Sequence, residues 1–127
     1  YEILPYYNSI FMDIVCETWH EGQCFLPNEK TGRPIIARTP FIAYAGKDFL
    51  KNLKKLGFKT FGRWWSEEYD DHEGVQRIQY MLKEIKKISR YPVDRLKEIQ
   101  QEMMPVLEHN YKIIKSLTPE QMLEKFK

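Results

Sequence analysis

The chain has 127 residues, with 20 basic and 18 acidic side chains for a net charge of +2, and 43% of it is hydrophobic. That length suits one domain with a sizeable core, and that composition excludes a disordered chain. So balanced a charge argues against a nucleic-acid-binding protein, which needs a dense basic face. No run of about 18 apolar residues occurs, so no membrane span is expected. Two cysteines, Cys16 and Cys24, make no disulfide framework, and a reduced cytoplasmic setting is expected. The start at Tyr1, with no basic leader, reads as a fragment or trimmed chain and not a signal peptide.

In chain order, Ser9 to Thr18 (SIFMDIVCET) reads as a strand largely buried on both faces, because β-branched and aromatic residues fill it. Asn28 to Arg38 reads as a short helix with Asn28 as N-cap and Glu29 where the helix dipole favours an acid. Pro34 should bend it. Pro40 to Ala45 forms a second strand, entered through a proline and ended by Gly46. Phe49, Leu50, Leu53 and Leu56 then share one helical face, with Lys47, Lys51, Lys54 and Lys55 largely opposite and Gly57 as a left-handed stop. Phe58 to Phe61 reads as a short third strand.

The second half is helical. Val75, Ile78, Met81, Leu82, Ile85 and Ile88 keep a 3.6-residue period up to Tyr91-Pro92, and Leu96, Ile99, Met103, Leu107, Ile114 and Leu117 continue it in a second helix that Pro105 should kink or split. Thr118-Pro119-Glu120-Gln121 opens a last short helix. The alternation of strand and helix implies an α/β fold: a small parallel, Rossmann-like sheet of three to four strands with flanking helices and a helical C-terminal tail. Residues 1–90 would form the half-domain and residues 91–127 an extension packed on it. Ligands in such sheets bind beyond the carboxyl ends of the strands, at loops 17–29, 45–48 and 62–74.

Glu29-Lys30 at the start of the crossover helix is the most informative pair. A carboxylate accepts two hydrogen bonds from a ribose diol, while a lysine and free helix N–H groups meet phosphate oxygens. On spacing alone the favoured reading of the pair is the solvated first turn of a helix, because adjacent Glu-Lys pairs are common there. Trp64, Trp65 and Tyr69 offer stacking surface for a sugar or base, or else cover the edge of the core. Cys16, His20 and Cys24 lack zinc-ligand spacing, so no metal is expected. No Ser-His-Asp pattern, phosphate-cradling glycine loop or carboxylate dyad occurs.

Phe25-x-x-x-Glu29-Lys30-x-x-Arg33-Pro34-Ile35-Ile36-Ala37-x-x-Pro40-Phe41-Ile42 resembles the glutamate-lysine motif of GT-B glycosyltransferases of the α1,3-fucosyltransferase type. The stretch Leu53-x-x-Leu56-Gly57-Phe58-Lys59-Thr60-Phe61, followed by Trp64-Trp65-x-x-x-Tyr69-Asp70, is similar to bacterial and phage-borne glycosyltransferases. The resemblance covers roughly residues 9–90. It implies the donor-binding half of such an enzyme, with Glu29 on the ribose and Lys30 on the diphosphate of a nucleotide sugar. Asn28, Arg33 and Glu17 complete the expected nucleotide-sugar site, and no cofactor is required. The catalytic base would come from an acceptor-binding domain outside this chain, so the fragment could be catalytically silent. The rival expectation is a protein-interaction or dimerisation module, with an apolar stripe of Leu96, Ile99, Met103 and Leu107 exposed on the C-terminal helices.

Overall fold

A computed structural model describes residues 11–16 and 29–116. Strand β1 (Asp13–Cys16) is followed by helix α1 (Glu29–Ile36), strand β2 (Phe41–Tyr44) and helix α2 (Phe49–Lys55). A 3-10 turn at Glu68–Asp71 then leads into helix α3 (Gly74–Ser89) and helix α4 (Val93–Ser116). The two strands pair in parallel, with Asp13 beside Phe41 and Cys16 beside Tyr44. The protein is therefore mixed α/β and mostly helical, with a two-stranded parallel sheet among the described residues.

β2 lies at the centre of the core, with Phe41, Ile42 and Ala43 buried. β1 is covered on one side only: Val15 is buried, while Ile14 is 49% exposed and Cys16 is also exposed. The expectation of a first strand largely buried on both faces is thus corrected. α2 follows its pattern, with Phe49, Leu50, Leu53 and Leu56 buried and Lys47, Lys51, Lys54 and Lys55 exposed. Gly57 has φ 103°, the left-handed value expected of a residue that stops a helix.

α1 stops in a Schellman arrangement, in which the Thr39 amide donates to Pro34 O and the Arg38 amide to Ile35 O. Arg38 carries the left-handed turn with φ 53° and is held over the Tyr111 ring of α4 at 3.8 Å, with an ion pair to Glu108. α4 runs unbroken through Pro105, which lies on its exposed side. The Gln101 carbonyl that Pro105 leaves without an intrahelical donor also sits at an exposed residue, and no split results.

The third strand does not form. Residues 58–61 are irregular because their backbone groups are satisfied elsewhere. The Asn110 side chain, from α4, accepts from the Lys59 amide at 2.8 Å and donates to the Lys59 carbonyl at 2.8 Å. The Glu67 carboxylate accepts from the Phe61 amide at 2.9 Å, and the Phe58 amide donates to Leu53 O. Phe58 and Phe61 still bury their side chains, so the apolar pattern is used without the strand. Pairing by residues 1–10, and the last short helix from Thr118, lie outside the described residues.

Two helical faces differ from expectation. On α3 the buried side is Arg77, Met81, Glu84 and Ile88, while Val75 is 70%, Ile78 39% and Leu82 46% exposed. On α4 the stripe expected to be free is core: Ile99, Met103 and Leu107 are buried and Leu96 packs against them. That corrects the expectation of a docking face on the α4 stripe. No helix among the described residues is long and apolar enough to cross a membrane.

Candidate functional site

Because β1 and β2 are parallel and only four residues separate the end of α1 from the start of β2, the first turn of α1 points to the carboxyl ends of the strands. That is the edge where open α/β sheets hold ligands. Glu29 and Lys30 occupy this first turn, and Arg33 lies one turn further on, half-buried. Gly32 and Pro34 are buried, so α1 is packed closely along its inner side. Asn28 and Glu17, expected beside them, lie outside the described residues, as do His20 and Cys24.

The aromatic candidates are placed elsewhere. Trp65 is 3% exposed and packs on Phe61 at 5.7 Å and Phe11 at 6.5 Å, while Phe61 packs on Phe41, the first residue of β2. This cluster therefore sits at the amino ends of the strands, away from the α1 first turn. Trp64 is half-buried, and its indole N–H donates to Glu102 of α4 at 3.1 Å. Tyr69 is wholly buried. Trp65 and Tyr69 thus belong to the core and offer no face to a sugar.

The carboxyl end of β2 is occupied by a polar network that the sequence did not advertise. The Arg77 guanidinium, wholly buried, donates from Nε and Nη2 to Ala43 O at 3.0 and 2.8 Å. Its Nη1 reaches the carbonyls of Gly46, Tyr69 and His72 at 3.2–3.3 Å. Nη2 also meets Asp70 Oδ1 at 3.3 Å. The Asp70 carboxylate accepts from the amides of Leu50 at 2.9 Å and Lys51 at 3.2 Å, capping α2, whose own N-cap residue Asp48 gives no side-chain bond. Arg77 and Asp70 therefore join α3, α2 and the β2 exit loop. Their signal in sequence was faint: a basic residue at the right period for a buried face, and an acid seven residues before it.

Glu67 holds the loop from the other end, accepting from Thr60 Oγ1 at 2.7 Å and from the Phe61 amide. Burial raises its carboxyl pKa above the usual value, with these hydrogen bonds pulling the other way. The Glu84 carboxylate accepts from the Ser66 amide at 2.9 Å. Burial likewise raises the Tyr69 phenol pKa, with the Glu67 charge adding to the rise and the nearby Ala43 backbone and Arg77 opposing it. The Tyr69 hydroxyl has no partner in hydrogen-bonding geometry. Removing it should therefore help: Tyr69→Phe is expected to raise stability by about 1 kcal/mol, seen as a higher urea midpoint at unchanged slope. A loss of similar size would instead show that the hydroxyl is bonded.

Among the described residues no cluster of three or more His, Cys, Asp or Glu side chains is placed to hold a metal ion. No protein-family model, no curated protein and no solved structure matches this chain. The geometry and the residues are what a functional reading stands on.

Proposed function

We propose that this chain binds the diphosphonucleotide of a sugar donor at the first turn of α1, as the donor half of a glycosyltransferase. The observation that supports this reading is topological. The β1–α1–β2 unit brings Glu29 and Lys30 to the carboxyl edge of a parallel sheet, on a helix end whose N–H groups are free of intrahelical partners.

In this reading Glu29 accepts the two ribose hydroxyls and Lys30 lies against the diphosphate. When the bond from the anomeric carbon to the diphosphate oxygen breaks, negative charge grows on the departing oxygen. Lys30, with Arg33 behind it, offsets that charge. The attacking hydroxyl and the base that deprotonates it belong to an acceptor-binding partner domain. A cytoplasmic location, where nucleotide sugars and reduced thiols such as Cys16 coexist, belongs to the same proposal.

Calorimetry of the full chain against GDP, UDP, CDP and their sugar conjugates tests it. One diphosphonucleotide is expected to bind, and Glu29→Ala and Lys30→Ala are each expected to weaken it by about tenfold, or 1.4 kcal/mol. Circular dichroism would check that both variants keep the fold. A folded protein that binds none of these nucleotides, or binds one with no effect of either substitution, overturns the reading.

A further inference from the structure

α3 shows a second surface unrelated to the α1 end. Its one acid between Gly74 and Ser89 is Glu84, which is turned inward to the Ser66 amide. Its outer side carries Lys83, Lys86 and Lys87, and the C-cap residue is Arg90; all four are exposed, and none has a carboxylate within ion-pairing distance among the described residues. With Gln79, Leu82 and Tyr91 they line an open concavity of about 690 Å³. Val75 and Ile78 precede Leu82 on successive turns of the helix, and the three are exposed at 70%, 39% and 46%.

Favourable placement of cations at a helix C-terminus accounts for Lys86, Lys87 and Arg90. It does not account for Lys83, for the lack of any outward acid, or for three large apolar side chains aligned in one stripe. Single exposed apolar residues are ordinary, but an aligned set bordering a charged concavity marks an interaction face. The geometry points to a docking groove for an acidic amphipathic peptide segment of another protein. Apolar side chains of that segment would cover Ile78 and Leu82, and its carboxylates would meet the four cations.

Charge argues against a second copy of this chain as the occupant. A second copy docking through the same face would set four cations against four, and a symmetric contact would repeat that repulsion on both sides. An anionic membrane shares this chemistry, and the vesicle arm of the test separates it from a peptide. A nucleic acid would leave the apolar stripe wet.

The test uses the full chain and a fluorescein-labelled amphipathic helical peptide of leucine, alanine and glutamate, read by anisotropy. A scrambled peptide of identical composition serves as one arm. Phosphatidylserine vesicles and polyuridylic acid serve as two more. The amphipathic peptide is expected to bind best, at least about tenfold tighter than the scrambled one. Leu82→Asp and the pair Lys86→Glu with Lys87→Glu should each weaken it about tenfold or more. Lys51→Glu with Lys54→Glu, on the basic side of α2, should leave it unchanged. All these positions are exposed, so the fold tolerates the changes. No binding, equal binding of the scrambled peptide, tighter binding to vesicles or RNA, or indifference to the α3 variants would each overturn the proposal. None of these outcomes bears on the nucleotide site at α1.

Discussion

Arg77→Met should cost the fold about 4 kcal/mol, enough to leave a protein of ordinary stability close to unfolding. Methionine keeps much of the length of the side chain, so the loss comes from the network and not from a cavity. Removing the guanidinium strips a donor from the carbonyls of Ala43, Gly46, Tyr69 and His72 at once, although Gly46 keeps the Phe49 amide and Tyr69 the His72 amide. Each buried acceptor left without a donor costs about 1–3 kcal/mol. Asp70 also loses its cation, although the Leu50 and Lys51 amides continue to hold it.

Lysine should not rescue the site, since a single ammonium cannot span acceptors that the planar fork reaches from three nitrogens. Adding Asp70→Asn to Arg77→Met should recover part of the loss, because the uncompensated charge disappears with it. Urea unfolding at neutral pH measures all of these. If Arg77→Met shifts the midpoint by less than the equivalent of about 1 kcal/mol, the network contributes little and water replaces it.

This network also explains where the sequence misled. In α3 the apolar residues Val75, Ile78, Met81, Leu82, Ile85 and Ile88 fit a helical period, so their stripe reads as the core face. The helix is instead rotated toward Arg77 and Glu84. Hydrophobic periodicity assigns charged residues to solvent by default, and the default fails where a charge finds a full set of partners. Those partners, the exit carbonyls of β2 and the Ser66 amide, come from distant parts of the chain and leave no local mark.

α2 was legible for the opposite reason. Phe49, Leu50, Leu53 and Leu56 alternate with lysines, Gly57 marks the stop, and nothing from afar competes. The parallel pairing of β1 and β2 around α1 was also legible, from the spacing of two β-rich runs about a capped helix. Of the candidate site, the first turn of α1 emerged where the pattern placed it. The tryptophans and Tyr69 did not, because an aromatic residue near a loop reads the same whether it covers core or greets a ligand.

The failed third strand leads to the other large effect. Asn110→Leu should cost about 3 kcal/mol, since the Asn110 side chain does for Lys59 what a neighbouring strand would have done. Its amide group meets both the N–H and the C=O of Lys59 at 2.8 Å, while Asn110 itself is 2% exposed. Leucine fills the space and leaves both backbone groups unmet, at about 1–3 kcal/mol each, with the partly buried position favouring the lower end.

Asn110→Asp separates the donor from the acceptor. A carboxylate still accepts from the Lys59 amide but faces the Lys59 carbonyl with no proton to give. The protonated acid restores the original pattern, so the folded variant holds its proton more tightly than the unfolded chain, whose aspartate titrates near about 3.9. The stability that proton provides is fully present below about pH 3.9 and is lost as pH rises through the raised folded value. Relative to the parent protein, Asn110→Asp should therefore be least damaging in acid and most damaging at neutral pH, whereas the deficit of Asn110→Leu should not depend on pH. Parallel deficits across that range would mean that the Lys59 carbonyl never relied on the Asn110 amide, and that another force keeps residues 58–61 out of the sheet.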